Sequence, residues 1–257
     1  MTDNVKLYKY LDVNGGLMML RNSNLQFTNA TRLNDPFDCH PALFNFSNAP
    51  EYPHNWPPKD FLVEKGKIDT ENIRNSTWIC SLSKNYDSLL MWCFYCNYSG
   101  VCIGIDIEKA KAYLSRVHCA MTMGASMYDV QYKDIIEKPD FFNDCQDLIH
   151  YQLTTKAKAW EYEQEVRLIL DDPTYGYVPM SLNRKPKRNE VVDWKEVRVY
   201  PRIGPECFDS IYLGINTDKK AKISLVSAAK KLNLDIKIYQ MTIDPDAFRL
   251  RAELINV

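Results

Sequence analysis

Glycine-rich phosphate loops are missing from this chain of 257 residues: neither Gly-x-Gly-x-x-Gly nor GxxxxGK occurs. No run of 18 apolar residues is present, so no membrane-spanning helix is expected. No basic segment followed by an apolar one opens the chain, which makes a cytoplasmic location the expectation. The eight cysteines are then expected to be free thiols, mostly buried. Cys93-Phe94-Tyr95-Cys96 is a lone CxxC without a second pair or a nearby histidine cluster, so no metal is expected. The four histidines lie in unrelated contexts and no serine elbow appears, so nothing suggests a Ser–His–Asp triad. Excess charge is lacking too. A formal net charge of -1 removes the global case for non-specific nucleic-acid binding and leaves only local basic patches. There is no repeat, no low-complexity segment and no clear linker.

What is present is enough for a substantial core, at 46% hydrophobic and 25% charged residues. Sixteen tyrosines bring apolar area with a polar handle, which suits ligand clefts as well as cores. Short strands are expected at 7–10, 25–28, 76–83, 101–106, 127–132, 197–200, 210–214 and 236–241, with a last one near 248–254. Helices are expected at 17–20, at 89–95 behind Asp87 or Ser88, at 108–116, after Pro139, and from Asp218 to Leu232. The helix at 89–95 is apolar nearly all round and is expected to be buried. In the helix behind Asp218, Ile223, Val226 and Ala229 are expected to face the core. Proline-containing residues 47–59 read as loop, 120–125 as irregular, and basic residues 183–190 as a loop or hairpin tip. Strands and helices do not alternate as in a doubly wound sheet. A single α+β domain over residues 1–257 is expected, with a curved mixed or mostly antiparallel sheet flanked by helices.

The chemistry-bearing stretch is Lys156-Ala157-Lys158-Ala159-Trp160-Glu161-Tyr162-Glu163-Gln164-Glu165-Val166-Arg167. Read as extended chain, it places Glu161, Glu163, Glu165 and Arg167 on one face. This is either a solvated edge strand with neutralised charge or a carboxylate pair at the mouth of a cleft. Arg167 is expected to pair with Glu163 or Glu165. Because the acids repel one another, Glu165→Gln is expected to leave folding nearly untouched. From the residues alone, Asn34-Asp35-Pro36 is a turn, and Trp92 and Tyr95 lie on helical spacing as core.

Five blocks occur in order: Leu7-Tyr8-Lys9-Tyr10, Leu33-Asn34-Asp35-Pro36-Phe37-Asp38, Ser81-Leu82-Ser83, Met91-Trp92 with Tyr95, and Lys156…Trp160-x-Tyr162-Glu163-x-Glu165-x-Arg167. Together they resemble a widespread bacterial family of domains of unknown function, over most of residues 5–215. The order of Lys9, Ser81-Leu82-Ser83 and Glu163-Gln164-Glu165 is also similar to ADP-ribosyltransferases of the arginine–serine–glutamate type. That resemblance implies an ADP-ribosyltransferase-like fold, NAD as cofactor, a macromolecular acceptor, and a role in bacterial toxin or anti-phage defence. It implies Glu165 as the catalytic acid, Glu163 as the residue that orients the acceptor, and Ser81 in the nicotinamide pocket. Tyr8 or Lys9 would meet the adenosine or phosphates. Ser83, Asn34, Asp35, Trp92, Tyr95 and Arg167 complete the implied cofactor site. The chain departs from the pattern in carrying Lys, a point charge, where the pattern has the forked Arg. Two other classes stay open: a non-catalytic module binding a nucleotide or a protein, and a nuclease in which Asp35, Asp38 and the Glu-x-Glu acids gather Mg²⁺.

Overall fold

The computed structural model describes residues 5–118, 125–144, 147–171 and 198–256. The expectations placed on 120–124 and 183–190 lie outside those residues. The chain opens with β1 (Lys6–Leu11), α1 (Val13–Asn22) and the short β2 (Thr28–Asn29). After a long irregular stretch come α2 (Lys59–Asn75), β3 (Thr77–Ser83), α3 (Leu89–Cys96) and β4 (Val101–Asp106). Next are α4 (Ile107–His118), β5 (Ala125–Asp129), β6 (Gln131–Lys133), α5 (Leu148–Thr154), β7 (Thr155–Ala157) and β8 (Glu165–Asp171). The C-terminal part holds β9 (Phe208–Leu213), α6 (Lys219–Leu232), β10 (Lys237–Ile243) and β11 (Leu250–Leu254).

The main sheet runs β11-β10-β9-β4-β1-β3-β8-β5, with β2 attached to β3. Its pairs are antiparallel except β9–β10, which α6 joins as a crossover helix. The fold is therefore α+β with a mostly antiparallel sheet, as the irregular strand spacing implies. β6 and β7 form a separate parallel pair.

Side chains explain the layering. On β3, Trp78, Cys80 and Leu82 join the largest apolar cluster, and on β8 Val166, Leu168 and Leu170 do the same. α1 and α6 pack on one another, and the cluster takes Leu20 from the first and Leu225 from the second. α1 presses so closely on β4 that a Cβ on Gly16 would stand 2.2 Å from Val101 Cγ1. Alternate residues therefore point to the opposite face, where Ser81, Ser83, Glu165 and Arg167 lie. A second cluster containing Tyr10 and Trp92 and a third containing Ile79 and Ile169 stand apart from the first.

Helix ends follow local chemistry. Asp12, Ser88, Asp147 and Asp218 each accept a backbone N–H of the first turn. Several expectations are corrected. The helix expected after Pro139 starts only at Leu148, because the Asp140 carboxylate accepts from Phe142 N and Asn143 N and turns the chain locally. The strand expected at 25–28 shrinks to β2, and Phe27 and Val199 form an isolated bridge. α3 is not buried all round: Met91, Trp92 and Cys96 face inward, whereas Phe94 is 66% exposed and Leu90 45%. On α6 the buried residues are Ala221, Leu225, Ala228 and Ala229, and Ile223 is exposed.

Candidate functional site

The acidic stretch is not one extended strand. Lys158–Glu163 forms a 3-10 helix, Gln164 takes a left-handed conformation (φ 41°), and β8 begins only at Glu165. Glu161 consequently points to solvent, while Glu163 and Glu165 are both buried. Burying two carboxylates demands partners, since an unpaired buried charge is strongly disfavoured. Lys156 supplies one: its Nζ donates to Glu163 Oε2 and, at 3.0 Å, to Glu165 Oε2. Arg167, fully buried, supplies the other. Its Nε donates to Glu165 Oε1 at 2.9 Å and its Nη2 to Glu165 Oε2 at 3.1 Å.

Asp38 completes the cluster. It accepts from Arg167 Nη2 at 2.7 Å and lies 3.9 Å from Lys156 Nζ. Arg167 also donates to the Leu153 carbonyl at 2.6 Å. Three carboxylates thus surround two cations, a net charge of -1 among them. The expected pairing of Arg167 falls on Glu165, and Asp38, expected near these acids as a metal ligand, is instead a second partner of Arg167.

These contacts set the protonation states. Burial by itself would push the Glu165 carboxyl up, but Arg167 and Lys156 outweigh it and hold the group well below the usual carboxylate range. The Ser81 hydroxyl adds a hydrogen bond in the same direction. Burial likewise would lower the Lys156 ammonium, and Glu165, Asp38 and Glu163 together hold it above the ordinary lysine range. Lys156 also sits 5.1 Å from the centre of the Trp160 ring, a cation–π contact.

The cluster forms the floor of a cavity of about 230 Å³. Its shape comes from a split in the sheet. β3 pairs with β1 only at Tyr8↔Ser83, and with β2 at Thr28↔Ile79 and Asn29↔Trp78. Between those points the edge of β3 opens toward the cavity, and Lys9 Nζ donates to the Ser81 carbonyl at 2.7 Å. Tyr8, Lys9, Ser81, Ser83, Asn34, Tyr95, Glu163 and Glu165 of the candidate residues all line this space. Ser83 donates to the Glu163 carbonyl at 2.7 Å, which ties the turn before β8 to β3. Tyr95 donates to Glu163 Oε1 at 2.5 Å and accepts from Asn34 Nδ2 at 3.0 Å.

Three candidates stand elsewhere. Trp92 is wholly buried in the second apolar cluster and donates to the Tyr86 carbonyl, as the helical spacing alone suggested. Asp35 is buried away from the cavity lining, where it accepts from Phe37 N inside the Asn-Asp-Pro turn. Arg167 lies behind Glu165 rather than in the cavity. Sequence reasoning missed Arg32 and Arg198, which line the cavity, and the role of Lys156 as the central cation. Asp38 was named beside the Glu-x-Glu acids, but as a metal ligand rather than as an ion-pair partner of Arg167.

Among the described residues no group of three or more His, Cys, Asp or Glu is disposed to hold a metal ion. No helix among them is long and apolar enough to cross a membrane. Residues 91–168 match the model of a family described as "Protein of unknown function (DUF2971)". The matched span opens in α3 and closes in β8, and takes in Tyr95, Lys156, Glu163, Glu165 and Arg167. No curated protein and no solved structure matches the chain.

Proposed function

We propose that the split between β1 and β3 is a nucleotide cleft and that the protein handles NAD in the manner of an ADP-ribosyltransferase. One observation carries this reading: Lys9, Ser81 and Glu165 come from the adjacent strands β1, β3 and β8 and line the same cavity. The donor set fits such a ligand. Lys9, Arg32 and Arg198 offer cations for phosphates, and Tyr8, Tyr10 and Tyr95 offer ring surfaces. Glu165 is an ionised carboxylate held by Ser81, suited to stabilising positive charge that develops at a ribose carbon. Glu163, beside it, is the group that would orient an acceptor.

The test is direct. The pure protein is incubated with NAD, with and without cell lysate. Released nicotinamide together with modified macromolecules is the expected result; neither appearing, at any protein concentration that folds, overturns the reading.

A second reading rests on a different observation. Glu165 already accepts from Arg167 twice, from Lys156 and from Ser81, which leaves it little capacity for a reacting group. A non-catalytic nucleotide-binding module meets that condition. It would bind NAD in calorimetry without consuming it. The nuclease reading is weaker, since Asp38, Glu163 and Glu165 do gather but around Lys156 and Arg167.

A further inference from the structure

A second, larger cavity of about 840 Å³ adjoins the first and shares Lys9, Tyr10, Tyr95 and Arg198 with it. These side chains are a wall common to both, and the larger cavity is a groove in its own right. One wall is built by two extended segments. Leu25 N donates to the Pro201 carbonyl at 3.0 Å, and Phe27 and Val199 exchange backbone hydrogen bonds at 2.8 and 3.0 Å. Leu25, Phe27, Val199 and Ile203 are buried beneath this ribbon. Their alternate neighbours face the groove: Asn24 and Gln26 from one segment, and Arg198, Tyr200 and Arg202 from the other.

The order Arg198–Tyr200–Arg202 is informative. All three are exposed, and among the described residues neither arginine has an ion-pair partner. The one carboxylate lining this cavity among the described residues is Asp12, which caps α1 by accepting from Gly15 N. The groove is therefore locally basic in a chain whose net charge is -1. On extended backbone, residues four apart are separated by roughly 13 Å. The two phosphorus atoms of a pyrophosphate share one bridging oxygen and lie far closer than that. A ligand that carries phosphates repeatedly along its length matches that spacing, and an aromatic ring between two cations is a surface on which a base can stack.

We infer that this groove binds a single strand of nucleic acid, with Arg198 and Arg202 on its phosphates, Tyr200 under a base, and one end of the strand near Lys9, a side chain shared with the Glu163–Glu165 cavity. Binding as such does not depend on NAD chemistry. The role of the strand as acceptor rests on the function proposed above.

The experiment separates the two. Fluorescence polarisation with labelled dT12 and rU12 is measured without NAD at several salt concentrations, using the full chain. The expected result is binding of at least one strand that weakens with salt. Arg198→Ala/Arg202→Ala should weaken it at least tenfold and reduce the logarithmic salt slope by about 1.4, since each single-strand phosphate contact contributes about 0.7. Tyr200→Ala should weaken it about tenfold with the slope unchanged. Lys219→Ala/Lys220→Ala, which removes two exposed cations outside the groove lining, should bind as the parent does. Melting temperatures of all variants check that they fold. No binding by the parent at low salt overturns the inference. So does equal loss in the lysine control, a double arginine variant that binds like the parent, or a duplex of the same length bound as tightly as the strand. NAD turnover with no strand binding would remove this inference and leave the enzyme reading standing; strand binding without NAD turnover would do the reverse.

Discussion

The Tyr95 hydroxyl stands 2.5 Å from Glu163 Oε1 and joins α3 to the turn that leads into β8. Burial, and then the neighbouring Glu163 carboxylate, push this phenol above its usual range, so it remains a donor. Tyr95→Phe keeps the ring and removes the donor. Hydrogen bonds to charged groups contribute about 1.5–3 kcal/mol, and Tyr95 is partly exposed, so a loss near the lower end is expected. Urea unfolding of both proteins measures it. Asn34→Ala, which removes only a contact to the same hydroxyl, should cost less.

Arg167→Met should be far more damaging. It strips Glu165 and Asp38 of their shared cation in a fully buried place. Removing one partner of a buried ion pair typically costs 3–5 kcal/mol, which is about that expected here. A denaturation midpoint within 1 kcal/mol (about fivefold in the equilibrium) of the parent's would show that the cluster contributes little.

Glu165→Gln reverses the expectation drawn from the sequence. As one of three acids on a strand, Glu165 was a source of repulsion. In the structure it accepts hydrogen bonds from both Lys156 and Arg167. Its loss should therefore destabilise the fold by about 3 kcal/mol or more, as well as abolish any NAD-consuming activity. Activity lost without a change in melting temperature would contradict this account.

Acid should act on the same group. The folded Glu165 carboxyl titrates below its unfolded value of about 4.3, so its contribution is present above that pH and is lost as pH falls toward the folded value. Lys156 is held above its unfolded value, so its contribution is lost only as strongly alkaline pH is reached. Denaturation midpoints at pH 7, 4 and 2.5 should fall steeply at the acid end, and less steeply in Glu165→Gln. Parallel curves for the two proteins would sink the assignment.

Thiol labelling gives a further check. Of the six cysteines described, Cys93 is exposed and the other five are buried. Burial pushes the Cys96 and Cys207 thiols up to about 12 and about 11. Mass spectrometry after brief labelling at pH 8 should find Cys93 modified and those five protected.

Much of the fold was legible because it rests on short-range chemistry. Asp218 announces α6 and Ser88 announces α3, since each caps the backbone a few residues ahead. β4 carries no charge from Val101 to Ile105 and is buried throughout. The site was legible only in part. Glu163, Glu165 and Arg167 could be named as a charged group, but their register could not, because the left-handed Gln164 breaks the alternation that a strand would impose. Asp38 reaches the cluster from 129 positions away, and no local pattern marks that meeting. The split between β1 and β3 depends on pairing register, which the periodicity of either strand leaves undetermined.

That distance has a consequence for the order of assembly. Lys156, Glu163, Glu165 and Arg167 are neighbours in the chain, whereas Asp38 is made long before its cation. A ribosome releasing the chain from its N-terminus delivers the 30–40 loop early, with an acid that has no counter-charge to settle against. Asp38 cannot meet that charge until β8 has emerged and paired with β3. The Asp38 side of the cleft is therefore secured only once Arg167 has been made, and an arrested chain ending before Arg167 should leave the loop more open to a protease.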